Sequence, residues 1–240
     1  LKEAAAIGDT EGMYKFASRT TKLTSEMVEE AKKLVNLLGC PVVQAPSEGE
    51  AQCAYMAKKG DVDYSVSQDY DSLIFGCPLL VRNLSIAGKR KKAGRFAWQI
   101  VKPEILSLSD NLNHLGLDLD QLIVLAILAG TDYNPGGIKG IGPKTALKLV
   151  KEFSDFDGVF EKAKWKEHFP DLEWKEIFYT IKNMPTTDDY DLKWGTVQEK
   201  GLVEFLVKEH DFSEERVKTK LQKLLKEKEK QKQTGLGSFF

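Results

Sequence analysis

Three cysteines, three histidines and the lack of any long apolar run set the first limits on this chain. Cys40, Cys53 and Cys77 are isolated and odd in number, so neither a disulfide framework nor the paired spacing of a structural zinc site can be written with them. That usage suits a reducing, intracellular compartment. His114, His168 and His210 are scattered, which leaves no His/Cys ligand set. No apolar stretch approaches the roughly 20 residues that a membrane helix needs, and the longest, Leu122 to Ala129, makes one short buried helix. The opening Leu1-Lys2-Glu3-Ala4 reads as a helical start without the positive region and apolar stretch of a signal peptide. No membrane association is expected, and no internal repeat is present.

What is there suffices for one sizeable core, or a core with a small appendage: 240 residues, 42% hydrophobic and 30% charged. The net charge of -1 conceals an uneven distribution. Positive charge gathers at Lys89-Arg90-Lys91-Lys92, at Lys139, Lys144 and Lys148, and from Lys218 to Lys232. Helical spacing of Met27, Ala31, Leu34, Val35 and Leu38 predicts a helix over 25–38 that Gly39 stops. A helix is also expected over 1–19, broken at Gly8-Asp9, and another over 51–59, ending at Gly60. Short strands are expected at 41–45, 62–67, 73–75 and 79–83. From Pro103 onward strand signals fade and helices dominate; Lys218 to Lys232 reads as a charged helix fraying into a disordered tail. Strands alternating with helices predict an α/β fold with a mixed or parallel central sheet flanked by helices. Trp98, Trp165, Trp174 and Trp194 are expected to pack.

Several motifs carry chemistry beyond the fold, each with a plainer alternative. Ser47 followed by Glu50 can form a capping box, which accounts for both as a helix start but leaves Glu48 unexplained. Asp69 and Asp71, at i and i+2 directly after a strand, bring two like charges together, which is unfavourable unless a cation sits between them; the alternative is an acidic turn. Asp132 follows Gly130-Thr131 where an apolar helix stops, as part of a site or of a helix cap and turn. The stretch Gly136-Gly137-Ile138-Lys139-Gly140-Ile141-Gly142-Pro143-Lys144-Thr145 is the strongest internal signal. Glycines flanking an aliphatic residue predict a tight hairpin whose N–H groups face one way, and Pro143 starts a helix at its preferred first position. Backbone donors on a helix N-terminus bind phosphate, with Lys139, Lys144 and Lys148 adding charge and no side chain placed to read bases. Lys89-Arg90-Lys91-Lys92 reads as a hairpin tip between two strands, either solvated or against a duplex backbone. The chain ends Gln233-Thr234-Gly235-Leu236-Gly237-Ser238-Phe239-Phe240, and two aromatics at such a terminus imply a tethered hook ordered by a partner's pocket.

Together these motifs resemble the flap endonucleases, the structure-specific 5′ nucleases of archaeal and eukaryotic replication. The resemblance covers APSEGEAQ at 45–52, SQDYDSLIFG at 67–76, ILAGTDYNPGGIKGIGPKTAL at 127–147, LKW at 192–194, FSEER at 212–216 and the terminal box. It implies a PIN-like 5′ nuclease core with a helix-three-turn-helix and a helical C-terminal part. By that resemblance Glu48, Glu50, Asp69, Asp71 and Asp132 belong to an acidic metal cluster that is also catalytic. Carboxylates without a His/Cys set favour Mg²⁺ or Mn²⁺, and two ions per complete site would activate a water and stabilise the leaving oxygen of a phosphodiester. The residues Gly136, Ile138, Lys139, Gly140, Ile141, Gly142, Lys144, Thr145 and Lys148 match the duplex-holding helix-three-turn-helix, which in relatives also takes a K⁺ ion. Lys89 and Arg90 are candidates for DNA contact, and Phe212, Ser213 and Glu214 lie in the region that in relatives recognises a 3′ flap. Gln233, Leu236, Phe239 and Phe240 match the box that docks on the sliding clamp, PCNA.

The implied activity is Mg²⁺-dependent 5′ flap endonuclease and 5′–3′ exonuclease action at single-strand/duplex junctions in replication and repair. The alternative is a clamp-tethered, non-catalytic duplex-binding piece. Segments expected on this basis are the second half of a helical arch at 1–22, the acidic nuclease core at 23–132, the helix-three-turn-helix and helical region at 133–217, a basic linker at 218–232 and the clamp box at 233–240. Measured against the family, the chain is expected to lack roughly the first hundred residues, including further metal ligands, and by itself to be inactive. The nuclease is expected to be a monomer, intracellular: cytoplasmic or nucleoid-associated if archaeal, nuclear if eukaryotic.

Overall fold

The computed structural model describes residues 22–85, 88–91 and 98–233. The expected helix over 1–19 and most of the clamp box lie outside these residues. In chain order the elements are α1 (Ser25–Leu37), α2 (Gly49–Lys59), β1 (Ser65–Val66), α3 (Asp71–Ile74), β2 (Leu79–Arg82), β3 (Gly88–Lys91), β4 (Trp98–Val101) and β5 (Glu104–Ser107). Helices follow: α4 (Leu108–Leu115), α5 (Leu119–Ala129), α6 (Pro143–Glu152), α7 (Phe156–Lys162), α8 (Trp165–His168), α9 (Trp174–Lys182), α10 (Glu199–Val203), a π-helical turn at Glu204–Glu209, and α11 (Glu214–Gln233). The class is mixed α/β, as the alternation of strands and helices predicts. Contacts divide the chain into two compact units, Gln44–Asp189 and the pair Leu1–Val43 with Tyr190–Phe240.

In the unit Gln44–Asp189, β2 is the middle strand of a small mixed sheet, parallel to β1 and antiparallel to β5, with Val66 beside Val81 and Val81 beside Ile105. The core lies on the helical side. Helix α5 is apolar nearly all round and therefore buried, with Ile123, Val124, Ile127 and Leu128 shielded. These pack with Ala146, Leu149 and Val150 of α6 and Ile177, Phe178 and Ile181 of α9. Each Val, Leu, Ile or Phe side chain among these contributes about 1.5–3 kcal/mol by leaving water, and Ala146 less. Phe160 and Trp174 stack at 4.4 Å, and buried Trp165 donates its indole N–H to the Leu172 carbonyl at 2.7 Å. A capping box at Asp118 and Gln121 fixes where α5 begins.

In the other unit, Leu202, Val217 and Leu221 form a small core with Leu34, Leu37 and Leu38. Gly39 ends α1 at φ +74°, and a Cβ there would lie 2.5 Å from the Gly195 carbonyl oxygen, so glycine is required by backbone angle and by close approach.

Several local expectations fail for physical reasons. Residues 41–45 join no ladder. Leu73-Ile74-Phe75 is not a strand: the Phe75 N–H reaches the Asp71 carbonyl and closes a helical turn. Short apolar runs carry too little periodicity to separate the two. β5 was not foreseen, because a pair of apolar residues after Pro103 gives no alternation to read. Lys89, Arg90 and Lys91 lie within β3, paired with β4, rather than at a hairpin tip. The charged helix expected over 218–232 is found, as part of a helix that runs Glu214–Gln233. Trp165 and Trp174 pack, but Trp194 is 71% exposed.

Candidate functional site

The acidic residues come from three places in the unit Gln44–Asp189. Asp69 and Asp71 leave the carboxyl end of β1, where open α/β sheets build their sites, and Asp71 opens α3. Glu48 and Glu50 start α2. Asp132 follows α5 directly. The capping box that would account for Ser47 and Glu50 does not form: Glu48 occupies the cap position without a side-chain cap bond. Glu50 instead accepts a hydrogen bond from the Ser67 hydroxyl at 2.6 Å, and that same oxygen accepts the Asp69 N–H at 3.1 Å. Ser67 thus ties the α2 carboxylate to the Asp69 loop. Across the site, the Tyr133 hydroxyl donates to Glu48 at 3.3 Å. Neither Ser67 nor Tyr133 was singled out from the sequence; the only signal was their place beside Asp69 and Asp132.

Electrostatics tie the five together. Burial pushes the half-buried Asp71 carboxyl above its ordinary value, and Glu50, Asp132, Asp69 and Glu48 each push it further. Every charged neighbour contributing to that shift is another carboxylate. The Tyr133 phenol is raised by burial, then by the charge and hydrogen bond of Glu48, and by Asp132 and Asp71. The donors are all oxygen and carry surplus negative charge, which fits a hard divalent cation in kind. In spacing they are looser: among the described residues no group of three or more His, Cys, Asp or Glu side chains closes on one point.

The turn after α5 is built on a close crossing of backbones. Buried Asn134 donates its side-chain amide to the Ile127 carbonyl at 2.7 Å and accepts the Thr131 hydroxyl at 2.6 Å, which fastens the Asp132 turn to the end of α5. The Ile138 N–H reaches the Leu128 carbonyl at 3.0 Å. A Cβ on Gly137, at φ +58°, would sit 2.4 Å from the Ala129 carbonyl carbon. Gly136 and Gly140 also have positive φ but face open space. Gly142 then caps α6, and Pro143 takes its first turn as expected.

The expectation that the N–H groups of this hairpin all face one way is corrected. The N–H groups of Gly137, Ile138 and Ile141 bond to the carbonyls of Asn134, Leu128 and Ile138, and the Ile138 side chain is buried in the core. The leading amides of α6 have no partner within the helix and are available to a phosphate, beside exposed Lys139, Lys144, Thr145 and Lys148.

The other candidates lie on other elements. The backbone of Lys89 and Arg90 is in β3. Phe212, Ser213 and Glu214 belong to the other unit: Phe212 is 56% exposed, Ser213 caps α11 loosely by accepting the Arg216 N–H at 3.5 Å, and Glu214 pairs with Lys218 at 2.6 Å. Gln233 is the last residue of α11. Leu236, Phe239 and Phe240 lie outside the described residues.

The XPG I-region family model matches residues 39–132, a span that holds all five carboxylates. Over its whole length the chain is 53% identical to flap endonuclease 1 of Pyrococcus abyssi, of which it covers 68%. The chain belongs to the flap endonuclease 1 family. The solved structure of flap endonuclease-1 from Methanococcus jannaschii is 43% identical, with a TM-score of 0.71 over 90% of this chain and 62% of that one. The catalytic core of Rad2, 24% identical, shares the fold with a TM-score of 0.64 over 81% of this chain and 72% of that one. The nuclease fold of the flap endonuclease family is therefore the frame on which the carboxylates and the glycine turn are mounted.

Proposed function

We propose that this chain serves metal-dependent 5′ flap endonuclease and 5′–3′ exonuclease action on DNA at single-strand/duplex junctions in replication and repair. The observation that carries this reading is Asp71, a half-buried carboxyl raised by burial and by four neighbouring carboxylates. Like charge collected at a strand end is relieved by a divalent cation. In this reading Asp69, Asp71 and Asp132 would hold one Mg²⁺ or Mn²⁺, and Glu48 and Glu50 would reach toward a second. When bound, such ions supply an ionisable water for attack on a phosphodiester and neutralise charge on the leaving oxygen. The chain's own part is to hold and orient: Ser67 fixes Glu50, Tyr133 fixes Glu48, and Asn134 anchors the Asp132 turn. The first turn of α6 with Lys139, Lys144 and Lys148 would grip duplex phosphates without reading sequence. A K⁺ ion at the 136–145 turn belongs to the same reading. Gln233, Leu236, Phe239 and Phe240 would tether a monomeric nuclease to the PCNA sliding clamp.

A second reading has the chain as a clamp-tethered piece that binds duplex DNA without cutting it, and the looseness of the carboxylates among the described residues favours it. One experiment separates the two. The purified chain is incubated with a 5′-flap substrate, and with linear duplex, in Mg²⁺ or Mn²⁺. Cleavage at the junction that Asp71→Asn abolishes supports the nuclease. Binding of flap and linear duplex without cleavage of either supports the second reading. Binding of neither DNA contradicts both.

A further inference from the structure

We propose that Arg82 is a positioning residue for the loop that carries Asp69 and Asp71; the proposal rests on reading those two as cation ligands. Arg82 is the last residue of β2, the middle strand of the sheet, and its side chain is only 20% exposed. Its Nε–H donates to the Gln68 carbonyl at 3.0 Å. Its Nη1 donates to the Tyr70 hydroxyl. The guanidinium carbon lies 4.1 Å from the centroid of the Tyr70 ring, a stacking contact. From behind, Glu104 of β5, the register partner of Arg82, places a carboxylate oxygen 4.0 Å from Nη1.

One side chain therefore grips residues 68 and 70, and the residues between and after them carry the carboxylates. Tyr70 is 54% exposed and lacks the burial that holds a core aromatic. The loop lies between a two-residue strand and a four-residue helix, too little regular structure to fix it alone. A guanidinium suits the task because its rigid fork can bond a carbonyl and a hydroxyl while its face covers a ring. A lysine keeps the charge but not this geometry.

The influence is geometric rather than through-space. Arg82 is not among the groups that shift Asp71, whose charged neighbours are all carboxylates. The two roles also predict opposite signs. A cation near an anionic site repels a bound metal, so deleting a merely electrostatic Arg82 leaves Mn²⁺ binding unchanged or tighter. Deleting a clamp weakens it.

The test uses the whole chain as wild type, Arg82→Ala, Arg82→Lys and Tyr70→Phe. Amide hydrogen exchange is followed over 68–71 without metal, and Mn²⁺ affinity by calorimetry. We expect faster exchange confined to this loop in both Arg82 variants, and a loss of Mn²⁺ affinity of about tenfold, the usual scale for a residue that orients a ligand. Tyr70→Phe, which keeps the stack, should change far less. Unchanged exchange in Arg82→Ala overturns the clamp whether or not metal binds. Altered exchange with equal or tighter Mn²⁺ binding overturns the positioning role. A wild-type chain that binds no Mn²⁺ overturns the metal reading itself, and the exchange data still decide the clamp. Should Arg82→Ala fail to fold, Tyr70→Ala, at an exposed ring, carries the same prediction.

Discussion

Replacing Gly137 by alanine tests the crossing on which the Asp132 turn and the phosphate-facing helix both depend. Alanine at φ +58° costs about 1–2 kcal/mol from the left-handed backbone alone. The new Cβ would meet the Ala129 carbonyl carbon at 2.4 Å, its oxygen at 2.5 Å and the Gly130 nitrogen at 2.6 Å, all backbone atoms with no rotamer to move aside. The two segments must part by about 1 Å to restore ordinary contact. That stretches the 3.0 Å hydrogen bond from Ile138 to Leu128 beyond use and strands a buried donor, worth about 1–3 kcal/mol. The sum is about 2–5 kcal/mol, or roughly 10 °C in melting temperature for a chain of this size. Gly140→Ala is the matched control: its φ is +88°, but no atom lies within 4 Å of the added carbon. It should lose only the left-handed backbone cost, about 1–2 kcal/mol. Thermal and urea melts of both variants give the comparison. Equal losses, or a Gly137→Ala loss near that of the control, would refute the close crossing as the lock of this turn.

Further expected outcomes concern DNA, pH and the clamp. Lys144→Ala should weaken binding to all duplex sequences alike and lower the slope of log affinity against log salt by roughly one charge; loss confined to particular sequences contradicts phosphate gripping. Because the Asp71 pKa is raised in the folded, metal-free chain, folding favours its protonated form. The protonated form's advantage is complete below the ordinary Asp value of about 3.9 and is lost as pH rises through the raised value. Asp71→Asn should therefore melt higher than wild type at neutral pH and no higher in acid, and a gain independent of pH contradicts the shift. Phe239→Ala combined with Phe240→Ala should abolish capture by the PCNA clamp while leaving Mn²⁺ and duplex binding intact, since buried aromatic anchors are worth roughly 2 kcal/mol or more each; wild-type capture would move the contact to the folded core.

The parts of this protein legible in its sequence are those where one residue type has one physical use. Gly39 and Gly60 end helices in left-handed backbone, and Pro143 opens one, because other residues serve those positions poorly. The amphipathic pattern of 25–38 and the apolar run at 122–129 give the helices found at Ser25–Leu37 and Leu119–Ala129. The five carboxylates can be read as a set from the family resemblance alone, and in the structure burial and the other four raise the Asp71 pKa. Where three apolar residues had to choose between strand and helical turn, as at Leu73 to Phe75, the outcome depended on Asp71 accepting a backbone bond that no local pattern announces. Strand β5 exists because β2 offers it a partner, a non-local fact. Ser67, Arg82 and Tyr133 were illegible for the same reason, since a hydroxyl or guanidinium acquires its role only from the residue the fold sets beside it.

The central claim is that Glu48, Glu50, Asp69, Asp71 and Asp132 together make a site for divalent cations. Calorimetric titration of Mn²⁺ and Mg²⁺ into wild type, Asp71→Asn and Glu227→Gln tests it most directly. Saturable binding is expected, weakened by about tenfold or more in Asp71→Asn and unchanged in Glu227→Gln, which lies on the exposed tail helix. Equal binding by all three proteins would contradict it and reduce the acidic positions to turns and helix starts.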